Sequence, residues 1–337
     1  MPHKLGIVVV GTGYSAQRLH LEKITRIPDL RLVGVVSRDT ERGKLIARKY
    51  NAETFFSDLS EALKREDVDI IDINLPTFMH KNAAISAAQA GKHILCEKPM
   101  AMTVEEADEM IYAAKRAGVK LMVTQVVRFA PEYVAVKQSV DRNLIGDPVA
   151  ARALRIPGDG YPWSSWHLKA EEGGGILDIL IHDIDYVRYL FGSEVESVVA
   201  DGGTLVWKNA NVFDHAFVLM RFRDGKIAQV TESWVRPINL PLIQSLEVHG
   251  TNGYIMMNNL AETKVVVHTN QGITFQVKTP ETDGYYDEIR HFAKCVIENK
   301  NPIIPPEDSR ASLEVSLAAL RSIKTKKYVS LPFRTVG

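Results

Sequence analysis

Three side chains in this 337-residue chain have the types and settings needed to move a proton at neutral pH: Lys98, Asp178 and His182. Lys98 lies in Cys96-Glu97-Lys98-Pro99, where the proline restricts the preceding backbone and so fixes the direction of the lysine side chain. Its ammonium can hydrogen-bond an oxygen that gains negative charge. Asp178 and His182 are four residues apart in the run Gly173-Gly174-Gly175-Ile176-Leu177-Asp178-Ile179-Leu180-Ile181-His182-Asp183-Ile184-Asp185. That spacing places both on one helical face, with Asp185 on the same stripe. Apolar neighbours predict partial burial, so these groups must be paired or functional. An imidazole with an ordinary pKa of about 6.5 is the natural base, and Asp178 would orient or polarise it. The plainer readings are an ion pair for Lys98 with Glu97 and a structural role for His182; the proline and the triple glycine count against them.

A second feature handles phosphate. The apolar run 5–10 ends in Gly11-Thr12-Gly13-Tyr14-Ser15-Ala16, a GxGxxA loop opening into a helical pattern. Gly11 permits the tight turn, Gly13 lets backbone approach a pyrophosphate, and Ala16 lets the helix pack on the strand. The helix N-terminus favours the anion. At the end of the second strand, where a carboxylate would hold the ribose diol of NAD, stand Ser37 and Arg38, with Arg42 one turn on. A hydroxyl and two cations favour NADP, while Asp39 keeps NAD open. Leu75, Pro76, Thr77 and His80, together with Glu97, Lys98 and Gln125, complete the residues expected to line the cofactor.

These groups need a scaffold. Residues 4–10, 31–37, 69–75, 92–97 and 120–125 read as strands apolar on both faces, and 15–26, 40–50, 58–64, 80–90 and 103–117 read as helices. The alternation predicts a doubly wound parallel sheet over residues 1–125, with ligands at the carboxyl ends of its strands. From 126 to 337 the texture changes. A helix over 131–143, a strand over 149–155, an apolar helix over 176–191 and closing helices over 286–298 and 307–322 accompany a long strand-rich stretch over 195–277. Turn signals at Asp224-Gly225 and Asn252-Gly253 predict hairpins there, hence an α+β domain on a largely antiparallel sheet.

Composition narrows the partners. The 41 Lys and Arg balance 41 Asp and Glu, so there is no general pull toward nucleic acid or anionic membranes. No run reaches the roughly 18 apolar residues of a membrane span, and the N-terminal apolar run is a poor signal-peptide core. Two cysteines, Cys96 and Cys295, form no disulfide framework and fit a reducing compartment. A cytoplasmic protein is expected.

The landmarks together resemble the family of glucose-fructose oxidoreductase, inositol dehydrogenase and MocA. They are Gly11, Gly13 and Ala16, the Leu75-Pro76-Thr77 strand end with His80, Glu97-Lys98-Pro99, and the GGGxLDxxxHDxD run from Gly173 to Asp185. The resemblance implies a Rossmann domain joined to an open-faced sheet domain, with face-to-face dimers or tetramers. It also implies that Lys98, Asp178 and His182 match the family's reactive residues. Three departures bear on substrate identity: Trp166-His167 where the family often has Trp-Arg, Thr77 where asparagine is common, and Val126-Val127 leading into Arg128-Phe129.

The chemistry expected is hydride transfer between a secondary alcohol or ketone and the nicotinamide, with His182 as base and Lys98 on the reacting oxygen. Flat aromatic faces beside donors in the loop 158–169, including Tyr161, Trp163, Trp166, His167 and Lys169, suit a sugar, sugar derivative or inositol. Arg128, Arg155 and Tyr286 are further candidates for the substrate pocket. The alternatives are a dinucleotide-binding sensor, an NAD-assisted glycosidase, and a metal enzyme using His167, Asp178, His182 and His215, whose spacing specifies no metal. No metal is expected.

Overall fold

A computed structural model of the chain describes residues 4–158, 165–234 and 240–333. Two compact units form: one from residues up to Val126 together with Asp283–Arg310, the other from Val127–Thr282 together with the residues from Ala311 onward. This corrects the division at residue 125. The reason is local: Lys23 pairs with Asp283 at 2.9 Å, the Arg26 guanidinium lies over the Tyr286 ring, and Arg310 pairs with Asp108, so the segment 283–310 is stitched to the first unit.

In the first unit β1 (Leu5–Val10), β2 (Leu30–Val36), β3 (Thr54–Phe56), β4 (Ile70–Ile73), β5 (His93–Cys96) and β6 (Leu121–Val123) pair in parallel in the order β3-β2-β1-β4-β5-β6. This is the doubly wound order, and it reverses between β1 and β4. Helices α1 (Ser15–Leu21 running on through Glu22–Ile24), α2 (Thr40–Lys49), α3 (Leu59–Leu63), α4 (His80–Gln89) and α5 (Val104–Ala117) connect the strands. Cover on both sides explains the unbroken apolar runs Leu5–Val10 and Ile70–Ile73, in which Asp72 is the single polar side chain. Helix ends follow their residues. Thr103 caps α5 by accepting from the Glu106 amide while Glu106 reaches back to the Met102 amide, and Gly118, at φ +69°, closes the other end. Strand β3 was not anticipated, because three edge residues are too few to show a period.

In the second unit α6 (Pro131–Asp141), β7 (Pro148–Ile156) and α7 (Leu177–Phe191) are followed by β8 (Val195–Gly203), β9 (His215–Phe222), β10 (Ile227–Ser233), β11 (Ile243–Gly250), β12 (Gly253–Asn258), β13 (Val265–Thr269) and β14 (Thr274–Gln276). Helix α8 (Gly284–Ile297) belongs to the first unit, and the boundary between the units falls within α9 (Pro306–Thr325), before β15 (Val329–Ser330). The sheet order is β14-β13-β12-β11-β7-β10-β9-β8-β15, antiparallel throughout except for β7 with β10. The expected hairpins form at Asp224-Gly225 and at Asn252-Gly253.

Strand alternation gives this sheet two unlike faces. Val267, Ile255, Val248, Ala151, Ala228, Met220 and Val198 make one buried row across seven strands, on which α6 and α7 pack. On the other face Phe217, Leu219, Ile227 and Met256 are exposed. Among the described residues no helix is long and apolar enough to cross a membrane.

Candidate active site

The first unit supplies a phosphate cradle. Gly11 adopts φ +116°, and a Cβ there would lie 2.2 Å from the Asn74 carbonyl oxygen, so only glycine fits the turn. A Cβ on Gly13 would meet nothing within 4 Å, which is the open approach a pyrophosphate needs. Ala16 is fully buried and Tyr14 is exposed. Ser15 opens α1, whose first part is wound with the wider π spacing, and donates to Asn74 Oδ1 at 2.9 Å. The residues present therefore fit a dinucleotide.

At the second strand end, Ser37 is buried with its hydroxyl 3.4 Å from that of Thr12, and Arg38 is exposed. Asp39 is the N-cap of α2, accepting from the Arg42 amide at 3.0 Å, while the Arg42 guanidinium donates to the Thr12 carbonyl at 2.7 Å. A cation thus sits against the glycine loop, and the nearest carboxylate is engaged in capping.

Three of the residues expected at the cofactor are buried, and two of them, His80 and Glu97, are tied into hydrogen bonds with other segments. His80 is buried, with Nδ1 2.9 Å from the Pro99 carbonyl and Nε2 2.8 Å from the Leu75 carbonyl, so it ties together the segments after β4 and β5. Burial lowers its pKa more than those carbonyls raise it. Glu97 is buried and places Oε1 2.9 Å from His20 and Oε2 on the Lys98 amide at 3.0 Å. Gln125 is likewise buried. Leu75 and Pro76 stay half-buried on the rim, Thr77 is buried in the turn preceding α4, and Lys98 is half-buried directly beyond β5.

Behind Lys98 lies a cluster that sequence reading missed. His20, on α1, presents Nδ1 to Asp72 of β4 at 2.9 Å and Nε2 to Glu97 at 2.9 Å, and both His20 and Asp72 are fully buried. A ring that donates from both nitrogens is an imidazolium. Burial alone would lower the His20 pKa, but the charges and hydrogen bonds of Asp72 and Glu97 push it up to about 10. Burial raises Glu97, and His20, with help from the Lys98 ammonium, brings it down to about 2. For Asp72 burial dominates, and its pKa is raised. The available signals were a carboxylate inside Ile70-Ile71-Asp72-Ile73 and a histidine on the first helix; neither names its partner.

The second unit places the other candidate pair, Asp178 and His182, on α7. Gly174 sits where a Cβ would be 2.3 Å from the His167 carbonyl oxygen, and the Gly175 amide donates to that oxygen at 2.8 Å, so the glycines let the 165–168 turn press against the helix entry. Every α7 residue from Leu177 to Phe191 is buried except His182 and Tyr189, which are half-buried. Asp178 is buried with its Oδ2 3.8 Å from His167 Nε2, and the Trp166 ring stacks on His167 at 3.9 Å. Trp163 and Tyr161 lie outside the described residues.

The arginines expected in the substrate pocket are anchors. Arg155 holds Asp183 through Nε at 2.7 Å and lies against the Tyr133 hydroxyl, and Arg128 holds Asp185 through two nitrogens, each at 2.7 Å. Asp185 also accepts from Ser312, so it supports α7 rather than extending the reactive stripe. Arg155 lowers the Asp183 pKa despite burial. Tyr286 belongs to α8, in the first unit, with the Arg26 guanidinium 5.6 Å from its ring centroid. Among the described residues no group of three or more His, Cys, Asp or Glu is arranged to hold a metal.

A doubly wound sheet with a fitted glycine loop, a lysine just past a strand end and an aspartate-histidine pair in a separate mixed-sheet unit define a dinucleotide-dependent oxidoreductase. Residues 5–125 match the oxidoreductase family with an NAD-binding Rossmann fold, and residues 133–256 match the GFO/IDH/MocA C-terminal domain. The chain belongs to the GFO/IDH/MocA oxidoreductase family, and it is an NAD(P)-dependent dehydrogenase or reductase acting on CH–OH groups. It is 31% identical to myo-inositol 2-dehydrogenase of Thermotoga maritima, over 96% of this chain and 98% of that protein. It is also 31% identical to scyllo-inositol 2-dehydrogenase (NAD(+)) of Bacillus subtilis, over 98% of this chain and 97% of that one. The crystal structure of aldose-aldose oxidoreductase from Caulobacter crescentus complexed with glycerol superposes with a TM-score of 0.87 at 26% identity, covering 97% of this chain and all of that one (100%).

Proposed function

We propose that the protein interconverts a secondary alcohol and a ketone on a sugar, sugar derivative or inositol, with NADP preferred over NAD. The observation that carries this reading is Lys98, half-buried immediately after β5, on the same sheet rim as the fitted glycine loop. When bound, the dinucleotide supplies the hydride acceptor or donor. The chain's own part is to handle the proton. His182 takes it from the substrate hydroxyl, Lys98 hydrogen-bonds the reacting oxygen, and Asp178 orients the acceptor. Run in reverse, the same groups deliver the proton to the alkoxide. Trp166, stacked on His167, offers an aromatic face and a polar edge to a polyhydroxylated ring.

Arg42 against the glycine loop and Asp39 engaged as a helix cap support NADP, since an additional phosphate would meet a cation. The exposed Phe217, Leu219, Ile227 and Met256 on the uncovered sheet face support a homodimer or homotetramer built on that face, and Leu219→Asp is expected to yield monomers by light scattering. Two buried free thiols, Cys96 and Cys295, suit a reducing compartment such as the cytoplasm.

The test is a panel of inositols, aldoses and deoxy sugars with each coenzyme, read at the reduced nicotinamide absorbance. Turnover of a polyol, faster at limiting NADP than at limiting NAD, is expected. Tight coenzyme binding with no turnover across the panel would overturn the reading in favour of a sensor.

A further inference from the structure

The buried imidazolium of the first unit touches neither the open approach at Gly13 nor solvent, yet it shares a carboxylate with the lysine at the strand end. Glu97 places one oxygen 2.9 Å from His20 Nε2 and the other on the Lys98 amide at 3.0 Å. Its charge is therefore felt by two cations, the His20 ring and the Lys98 ammonium. Asp72 holds the opposite ring nitrogen at 2.9 Å, and Asn74 links the same strand end to Ser15 of the phosphate helix.

We propose that His20 is a positioning residue for Lys98: by holding one oxygen of Glu97 it fixes the carboxylate whose other oxygen accepts from the Lys98 amide, and so sets where the lysine side chain leaves the strand end. This rests on the catalytic role given to Lys98 above. The groups facing His20 are Asp72 and Asn74 from β4 and Glu97 from the end of β5; Cys96, His80 and Lys98 also sense the Glu97 charge. With the imidazolium removed, Glu97 loses its contact with His20 and no longer holds the Lys98 amide in one place.

The experiment compares wild type with His20→Gln and Asp72→Asn as full-length proteins. Asp72→Asn disturbs the same buried cluster but leaves His20 on Glu97. The first readout needs no substrate: the rate at which a water-soluble acylating reagent labels the Lys98 peptide, followed by mass spectrometry at a single mildly alkaline pH where His20 keeps its proton. His20→Gln is expected to change Lys98 labelling by about tenfold, since the side chain is displaced, while Asp72→Asn stays within about twofold of wild type. The second readout is the kinetic split. In His20→Gln, kcat is expected to fall by roughly 10²-fold, the cost of misplacing a reacting group, while the coenzyme KM moves less than about threefold.

Equal effects of the two variants on labelling, or unchanged labelling in His20→Gln, overturn the inference. If His20→Gln does not fold, Glu97→Ala decides, since removing the group that holds the Lys98 amide must change Lys98 labelling, and an unchanged rate overturns the proposal. Undiminished turnover by Lys98→Met would instead overturn the function assigned to Lys98, leaving the labelling result intact.

Discussion

Each unit backs its proposed reactive side chain with buried charge, but with different chemistry. Behind Lys98 stands a histidine between two carboxylates, a cluster whose charge depends on one proton. Beneath His182 the carboxylates of α7 are held by guanidiniums, Asp183 by Arg155 and Asp185 by Arg128. Arginine keeps its proton across the accessible pH range, so the cations that hold the helix carrying His182 are not lost in alkali. The contrast teaches that a buried ion pair can serve as a fixed anchor or as an adjustable one, depending on whether its cation titrates.

The largest effects should come from the supported residues. Lys98→Met and His182→Asn are each expected to lower kcat by about 10²- to 10⁴-fold, the range for loss of a positioned proton-transfer group, with coenzyme binding kept, as measured by steady-state kinetics and fluorescence titration. The comparison breaks if either variant retains near-normal turnover.

Removing an anchor comes next. Arg128→Met leaves the Asp185 carboxylate buried without its guanidinium and should destabilise the fold by about 3 to 5 kcal/mol in urea unfolding.

The pH response sharpens the contrast further. His20 has its folded pKa raised from 6.5 to about 10, so the stability it contributes is complete below pH 6.5, declines as the pH rises, and is gone once the pH has passed about 10. Glu97, lowered from 4.5 to about 2, contributes above pH 4.5 and loses that contribution as the pH falls toward 2. A melting-temperature profile should therefore decline on the alkaline side in wild type and lose much of that decline in His20→Gln. A wild-type profile flat from pH 7 to about 10 would remove the distinction between the two anchors.

The smallest effect concerns the coenzyme. Arg42→Ala should weaken NADP binding by roughly tenfold, the worth of one charge-assisted contact, and leave NAD within about twofold. Equal losses for both coenzymes would show that Arg42 only braces the Thr12 carbonyl.

Periodicity and punctuation made much of the fold legible. The parallel unit followed from alternating apolar runs and helical patterns, and the mixed sheet from Asp224-Gly225 and Asn252-Gly253, because these are local backbone preferences. Segment 283–310 was misassigned since helical periodicity carries no information about which body a helix joins; the Lys23–Asp283 pair is visible only in three dimensions.

The sites divide in the same way. The residue types and spacing of Gly11, Gly13, Lys98, Asp178 and His182 pointed to proton and phosphate chemistry, because the chemistry resides in the side chains and their local spacing. Arg128, Arg155, Glu97 and His80 looked equally available in the sequence, and only packing showed that their polar atoms are taken by Asp185, Asp183, His20 and backbone carbonyls. His20 and Asp72 are 52 residues apart, so no spacing rule could join them. Local order is written along the chain; which buried charge meets which is decided by tertiary structure, because a low-dielectric interior accepts a charge only when a partner from another element arrives beside it.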